Sequence, residues 1–301
     1  MKRCEVKTKT DFHFARPDRL RENDAHMNIA DTNAHFAMLA RQKSNTLKSN
    51  PLGVFIASML AGAYVGVGII LIVSVGEHAG ADARTLIMGA SFGVALTLVV
   101  FAGAELFTGY TMYMPQGLLA KHVNLGDLAA SWAFVWVGNL IGCAVLAAIC
   151  VLGAIDIVSE RGELLYDLAA KKMNMDPAQM IARGMLCNWL VCLALWASAR
   201  TANDAAKILI IFWCLFAFIA SGFEHSVANM TVFALALFSE HPDNLTYMGA
   251  ARNLLWVTIG NTISGCVFVA GAYWLIGGNG AAVAGDRLYA NNMKEEDPCN
   301  P

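Results

Sequence analysis

Six long apolar runs constrain the fold of this chain more than any other feature. They are residues 52–76, 86–114, 128–155, 181–199, 206–238 and 253–277. Each is about as long as the ~20 residues that a helix needs to cross the hydrocarbon core of a bilayer, or longer. A soluble domain carries about 25% charged residues, whereas this chain has 15%. The sequence therefore predicts an all-α membrane protein with six transmembrane helices.

The polar ends divide the chain into three predicted regions. Residues 1–50 form a cytoplasmic N-terminal tail, residues 51–278 the membrane domain, and residues 279–301 a cytoplasmic C-terminal tail. Apolar residues near helical spacing within 27–48 indicate an amphipathic helix on the inner membrane surface, and a solvated, partly ordered tail is the alternative. The first fifty residues lack the apolar core of a cleavable signal, so the run 52–76 is expected to direct insertion.

The positions of Lys and Arg predict the orientation. Ten of the 21 precede Pro51. Six spans place both ends on one side, and an inside N-terminus puts 15 of these charges inside and six outside. The connection 156–180 holds three of the six outside charges and runs mildly against the trend. The positive-inside rule therefore places both termini in the cytoplasm.

Several function classes are excluded by the residue pattern. Six of the eight cysteines lie inside apolar runs and none forms a CxxC pair, so they are expected to act as small hydrophobes. The sequence contains no zinc, iron–sulfur or P-loop pattern, and we predict no metal, no cofactor and no catalytic residue: the chain is not an enzyme. The net charge of −2 provides no electrostatic footprint for nucleic acid.

The two halves of the chain resemble each other. WVGN at 136–139, followed by GC at 142–143, recurs as WVTIGN at 256–261, followed by GC at 265–266. Upstream, GAE at 103–105 is matched by GFE at 222–224. Three spans per half place the repeats in opposite orientations, and inverted repeats are typical of transporters and channels. Chance similarity between glycine-rich apolar segments is the alternative.

Polar residues interrupt the second and fifth runs, at 103–109 and 221–229. An ionisable group inside a span costs about 2.5 kcal/mol or more, so it remains there mainly when it faces the protein interior or a wet path. Non-helical backbone at that depth is tolerated only when it is buried in protein or lines a cavity. Two interruptions at equivalent positions predict that helices 2 and 5 are broken and that they border a pore.

His225 lies in the second interruption, beside a carboxylate. We expect it to work on a permeating anion, because both the neutral and the protonated imidazole donate a hydrogen bond; a structural buried histidine is the alternative. Glu105 and Glu224 are expected to accept backbone N–H bonds at the helix breaks, since a carboxylate on an anion path would repel the substrate.

Further residues beside the interruptions are candidates for the path. Leu106, Phe107 and Phe223 are expected either to form apolar constrictions or to pack in the core. Three mid-span asparagines are expected to cross-link helices or to reach the path: Asn139, Asn188 and Asn261. The glycine-rich stretch 61–68 is expected to allow close helix packing.

Three stretches together resemble the formate/nitrite transporter family: GAELFTG at 103–109, GMLCNWLVCLA at 184–194 and SGFEHSVANM at 221–230. The resemblance extends over about residues 50–277. Within the family, the segments 61–72, 212–215 and 253–258 are most similar to the bacterial nitrite channels. The extension before Met27 departs from that pattern.

The resemblance implies an aquaporin-like protomer, assembled as a homopentamer in the bacterial inner membrane, with one pore per protomer. It implies that residues 106–108 form a constriction and that Thr108 lies near His225. It also implies that His225 is the central histidine of the pore, which contacts the anion and provides its proton. Further pore-narrowing residues are then Phe92, Leu96 and Phe218. Arg183 is expected to draw anions into a vestibule, or else to be a membrane-interface arginine.

The predicted function is passage of a small monovalent anion, with nitrite favoured by overall similarity and formate or hydrosulfide as alternatives. A membrane anchor subunit of a respiratory enzyme is a different class, but such anchors usually present paired haem-ligating histidines. A neutral-solute channel of the aquaporin type would need paired Asn-Pro-Ala loops, which this sequence lacks.

Overall fold

The computed structural model describes residues 27–158 and 162–278, and all the regular structure within them is helical. The helices are α1 (Ile29–Ser49), α2 (Pro51–Glu77), α3 (Ala81–Ser91), α4 (Gly93–Phe101), α5 (Phe107–Leu119), α6 (Leu125–Leu152), α7 (Glu163–Met173), α8 (Pro177–Ala199), α9 (Asp204–Ala220), α10 (Ser226–Phe238), α11 (Tyr247–Ile263) and α12 (Ala272–Gly277). A 3-10 turn (Asp156–Val158) follows α6, and a π-helical segment (Ser264–Gly271) joins α11 to α12.

Five helices in the described residues are long and apolar enough to cross a membrane. They are α2, the α3–α4 unit, α6, α8 and the continuous helix Tyr247–Gly277. The predicted run 206–238 differs, because it is divided between α9 and α10, which have 17 and 13 residues. The run 86–114 is likewise divided, between the α3–α4 unit and α5.

A glycine in the left-handed region ends the helix on one side of each interruption. Gly103 has a φ of +74° after α4, and Gly222 has a φ of +68° after α9. The next residue then turns back onto the helix: Ala104 N–H donates to the Val99 carbonyl at 2.9 Å, and Phe223 N–H to the Phe218 carbonyl at 3.0 Å. This is the Schellman end, which favours glycine because a Cβ is disfavoured at positive φ.

Glycines let two pairs of long helices cross at backbone contact. A Cβ at Gly62 of α2 would collide with the Asn139 backbone of α6, and a Cβ at Gly142 would collide with the Met59 backbone of α2. In the second half, Gly260 of α11 approaches the Ile181 backbone of α8 in the same way. Small residues serve this purpose in membrane helix packing.

The π-helical segment explains a difference between the two halves. Asn139 and Cys143 are four residues apart on α6, whereas Asn261 and Cys266 are five apart. The extra residue coincides with the start of the segment Ser264–Gly271, and π-helical geometry absorbs it. Each thiol still contacts the short helix of the other half: Cys143 donates to the Val227 carbonyl of α10, and Cys266 donates to the Thr111 carbonyl of α5.

Helix α1 packs against α5 and α12 at one end of the helix bundle. The Phe36 ring lies between Tyr113 of α5 and Trp196 of α8, with ring centroids 5.3 and 5.4 Å apart. Asn33 donates to the Tyr273 carbonyl at 2.8 Å. The predicted tails 1–26 and 279–301 lie outside the described residues, and a membrane-surface position for α1 stays a prediction.

The α2–α6 crossing yields a test of the fold. Gly142→Ala should lower the thermal unfolding midpoint, because overpacking against the Met59 backbone costs about 1–3 kcal/mol. This outweighs the roughly 0.5–1 kcal/mol that alanine gains over glycine inside a helix. Gly80→Ala is the matched control, since a Cβ there meets nothing within 4 Å. Equal midpoints for both variants in detergent would contradict the tight crossing.

Candidate functional site

The two interruptions bring the starts of α5 and α10 together. Thr108 is the second residue of α5, and His225 is the N-cap of α10. Their side chains meet at 3.1 Å between Thr108 Oγ1 and His225 Nε2, although 117 residues separate them in sequence. Both side chains are buried. Because helix N-termini carry partial positive charge, two of them aimed at one place favour an anion there.

Hydrogen bonds assign the tautomer of His225. Its Nδ1 accepts the Ala228 N–H at 3.1 Å, so the imidazole proton lies on Nε2 and points to Thr108. The Phe218 ring stacks on the imidazole at 6.1 Å with a 16° tilt. Phe92 meets Phe218 edge-on at 5.5 Å. The predicted residues His225, Thr108, Phe218 and Phe92 therefore form one cluster.

Asn139 holds the first interruption with three hydrogen bonds. Its Oδ1 accepts the Phe107 N–H at 2.9 Å, and its Nδ2 donates to the Glu105 carbonyl at 2.9 Å and to the Ser58 carbonyl at 2.7 Å. The amide thus supplies hydrogen-bond partners to backbone groups that are left unpaired between α4 and α5. It also connects this segment to α2. Backbone polar groups buried in this way need such partners.

Asn261 performs the same task at the second interruption. Its Oδ1 accepts the Ser226 N–H at 2.9 Å, and its Nδ2 donates to the Glu224 carbonyl at 3.0 Å and to the Gly184 carbonyl at 2.8 Å. Asn188 supports it from α8: its Nδ2 donates to the Asn261 carbonyl at 2.6 Å and to Thr111 Oγ1 at 2.8 Å. The amides of Asn139 and Asn261 both brace backbone.

The carboxylates of Glu105 and Glu224 pair with lysines rather than with the backbone N–H groups that we expected. Lys43 of α1 binds Glu105, and its Nζ also lies over the Tyr110 ring at 5.1 Å. Lys172 of α7 binds Glu224 at 2.8 Å. Each pair is largely buried, and removing one partner of a buried pair costs about 3–5 kcal/mol.

The two lysines are residues that sequence reasoning missed. Both lie on helices outside the repeated motifs, 62 and 52 residues from their carboxylates. No motif or spacing in the chain links a lysine of α1 or α7 to a glutamate in a distant interruption. The cost of a carboxylate inside an apolar span indicates that each glutamate needs a basic partner. It does not indicate which lysine or arginine that partner is.

A hollow of about 130 Å³ leads to His225. Its walls are mostly apolar, but three cations line it: Lys171, Lys172 and Arg183. Glu224 is the one carboxylate among the described lining residues, and Lys172 neutralises it. Arg183 Nη1 also donates to the Gly222 carbonyl at 3.3 Å. This hollow, which we call the vestibule, has an excess of positive charge.

The remaining predicted residues are partly or fully buried. Phe223 is partly buried and lines the vestibule, and its role in a constriction stays a prediction. Leu96, Leu106 and Phe107 are buried, and Phe107 meets the Trp132 ring edge-on at 6.5 Å. Asn188 and Asn261 are buried in the hydrogen bonds described above, and neither is among the described residues that line the vestibule.

Replacing one bracing amide tests its role. Asn261→Leu keeps the size of the side chain but leaves the Ser226 N–H and the carbonyls of Glu224 and Gly184 without that partner. Each unsatisfied buried group costs about 1–3 kcal/mol, so folded protein should be lost or its thermal midpoint strongly lowered. Thr262→Val, one residue along on the same helix, is the control. Unchanged stability of Asn261→Leu by thermal unfolding would contradict the bracing role.

The chain is similar to known transporters and channels. A sequence profile described as "Formate/nitrite transporter" matches residues 33–275. The nitrite transporter NirC of Salmonella typhimurium LT2 is 47% identical over 241 residues, covering 80% of this chain and 88% of that protein. The formate channel FocA of Escherichia coli K12 is 28% identical over 252 residues, covering 75% and 87%.

A solved structure named "FNT family ion channel" superposes with a TM-score of 0.80 at 46% identity, covering 82% of this chain and 98% of that one. A second, "Pentameric formate channel with formate bound", gives a TM-score of 0.66 at 27% identity, covering 76% and 98%. The profile match spans most of the chain. With the helical architecture and the buried histidine site described above, it shows that the chain belongs to the formate/nitrite transporter family.

Proposed function

We propose that this protein passes nitrite across the bacterial inner membrane through a pore in each protomer of a homopentamer. The observation that carries the proposal is the meeting of two half-helix N-termini at Thr108 and His225, next to a positively charged vestibule. Identities of 46–47% to proteins named nitrite transporter NirC support nitrite as the anion. The family comprises transporters and channels, which agrees with a protein that is not an enzyme.

The proposed architecture has six spans arranged as an aquaporin-like inverted repeat. The α3–α4 unit with α5 forms the second span and α9 with α10 the fifth, each broken where the glycine ends the helix. Both termini lie in the cytoplasm, flanking a membrane domain of residues 51–278. The matching hydrogen bonds of Asn139 and Asn261 support the repeat, and the π-helical segment accounts for the one-residue difference between the Asn–Cys separations of the two halves.

The proposed path begins in the vestibule. Lys171 and Arg183 draw a small anion inward, and the apolar walls formed by Phe218 and Phe223 remove its water. An isolated anion faces a prohibitive penalty in a low-dielectric site. His225 offsets that penalty, because its Nε2–H, which is aimed at Thr108 in the resting site, donates a hydrogen bond to the anion. Transfer of a proton starts from the imidazolium form: the side chain first takes up a proton from water, gives one to the anion and returns to the neutral imidazole. A neutral acid then crosses the constriction at residues 106–108.

Formate and hydrosulfide are the alternative substrates, since both are small monovalent anions that the same hydrogen bond would serve. The relative FocA is named a formate channel. Flux measured in proteoliposomes with nitrite, formate, hydrosulfide and chloride decides between them. Nitrite flux well above the others is expected; equal nitrite and formate flux would remove the narrow assignment, and absence of all anion flux from a folded pentamer would overturn the proposal.

Substitution of the central histidine tests the mechanism. His225→Phe should reduce nitrite flux at least about tenfold, because a hydrogen bond to a charged group contributes about 1.5–3 kcal/mol. We expect the flux of the unsubstituted protein to rise at lower pH, where His225 takes up a proton more readily. His225→Asn should keep part of the flux but lose this rise, since its amide donates a hydrogen bond yet does not titrate. The exposed His78→Phe is the control. Unchanged flux and pH dependence in pentameric variants would refute the role of His225.

The vestibule arginine allows a second test. Arg183→Gln should raise the nitrite concentration at half-maximal flux several-fold, while maximal flux changes little. It should also weaken the dependence of that half-maximal concentration on ionic strength. The physical reason is that electrostatic attraction raises local anion concentration and is screened by salt. Arg84→Gln serves as control, because Arg84 binds the Gly76 carbonyl at the end of α2 and does not line the vestibule. Equal responses of both variants would make Arg183 a structural arginine.

A further inference from the structure

An apolar groove on the outer surface of the protomer lies apart from the proposed anion path. It has a volume of about 680 Å³ and runs between α6, α10 and α11. Its lining includes Trp132, Trp136 and Leu254, and two lining side chains, Tyr247 and Leu255, are 67% and 56% exposed. No Asp, Glu, Lys, Arg or His is among its described lining residues. The groove therefore offers little to water or ions.

The polar atoms of its tryptophans are already used inside the protein. Trp132 Nε1 donates to the Tyr110 carbonyl at 3.1 Å, and Trp136 Nε1 donates to Thr258 Oγ1 at 3.2 Å. The two tryptophans therefore offer only apolar ring surface to a molecule in the groove. Such a lining suits a ligand that is held by dispersion and burial alone.

The groove lies at the depth of the hydrocarbon core. At 1.5 Å per residue, its α6 lining begins about 10 Å and ends about 29 Å from the start of that helix, which is about 42 Å long. The hydrocarbon core is about 30 Å thick, so the middle of α6 lies inside it. The groove continues into the exposed apolar side of α6, which includes Val137 and Ile141. At this level, a face that no neighbouring protomer covers would meet lipid acyl chains.

The bottom of the groove is formed by a residue of the proposed constriction. Phe107 lines the groove and precedes Thr108 at the start of α5. The Trp132 ring meets Phe107 edge-on and also holds α5 through the Tyr110 carbonyl. A molecule in the groove would therefore press on the residues that position Thr108.

We propose that this groove is a binding site for a lipid acyl chain, which packs against Trp132 and Phe107 behind the constriction. At about 30 Å³ per water-sized group, which is also close to the size of a methylene group, the volume holds roughly twenty such groups, the scale of one acyl chain. An unfilled hollow of this size would lose those dispersion contacts. Binding of the acyl chain does not depend on the proposed function. Only the effect of the acyl chain on anion flux rests on it.

Photo-crosslinking tests the binding. The full chain is reconstituted in phosphatidylcholine vesicles in which some lipid carries a diazirine in its acyl chain, and labelled residues are mapped by mass spectrometry. We expect labels on residues 132–144 of α6 and 250–259 of α11. Ala251→Phe, which fills the groove, should reduce the α6 labels several-fold. Ala90→Phe, an exposed position on α3, is the matched control and should leave them unchanged.

Two outcomes would overturn the binding proposal. The first is a groove without labels while exposed α3 is labelled in the same sample, which would mean that a neighbouring copy of the chain covers it. The second is α6 labelling that falls equally in both variants. If Ala251→Phe fails to assemble, Ala251→Leu replaces it.

Flux gives the second readout. Nitrite flux of the unsubstituted protein should change with acyl-chain length and unsaturation, and Ala251→Phe should lose that dependence while Ala90→Phe keeps it. Labels in the groove together with flux that ignores lipid composition would refute the coupling to Phe107. Absence of nitrite flux in all vesicles would count against the proposed anion, while the crosslink map still decides the acyl-chain site.

Discussion

Two apolar runs of this protein, 86–114 and 206–238, are each divided between separate helices, and the backbone groups at the divisions need partners that a bilayer does not supply. Asn139 and Asn261 provide them, each with one accepted and two donated hydrogen bonds. Each amide also connects its interruption to a neighbouring long helix. The starts of α5 and α10, and with them Thr108 and His225, are placed by these two side chains.

The second constraint is electrostatic. Each interruption carries a carboxylate, which at such a depth is costly and would repel an anion. A lysine from outside the repeat neutralises each one: Lys43 from α1 and Lys172 from α7. The peripheral helices are therefore part of the site. Since Lys171 and Arg183 add charge without a carboxylate partner in the vestibule, the balance there favours anions.

In the proposed inverted repeat, the two halves of the chain use the same local arrangement in different surroundings. The Gly–x–Glu ends and the bracing asparagines agree closely, and a π-helical segment absorbs the one-residue difference downstream. The residues that follow the two glutamates differ, with Leu106 and Phe107 in the first half and His225 in the second. One interruption thus supplies apolar bulk and a hydroxyl, whereas the other supplies the imidazole.

The sequence by itself determined the all-helical membrane class, the family resemblance and the two interruptions, because hydropathy, glycine and ionisable residues are local properties of the chain. It also predicted that Thr108 and His225 lie together, through the resemblance. Only the tertiary structure decided what binds Glu105 and Glu224, how Asn261 is used, and that Phe107 faces an outer groove. The partners of Glu105, Glu224 and Asn261 come from segments 35 to 77 residues apart, and pairing over such separations depends on how the helices pack, which no local pattern encodes.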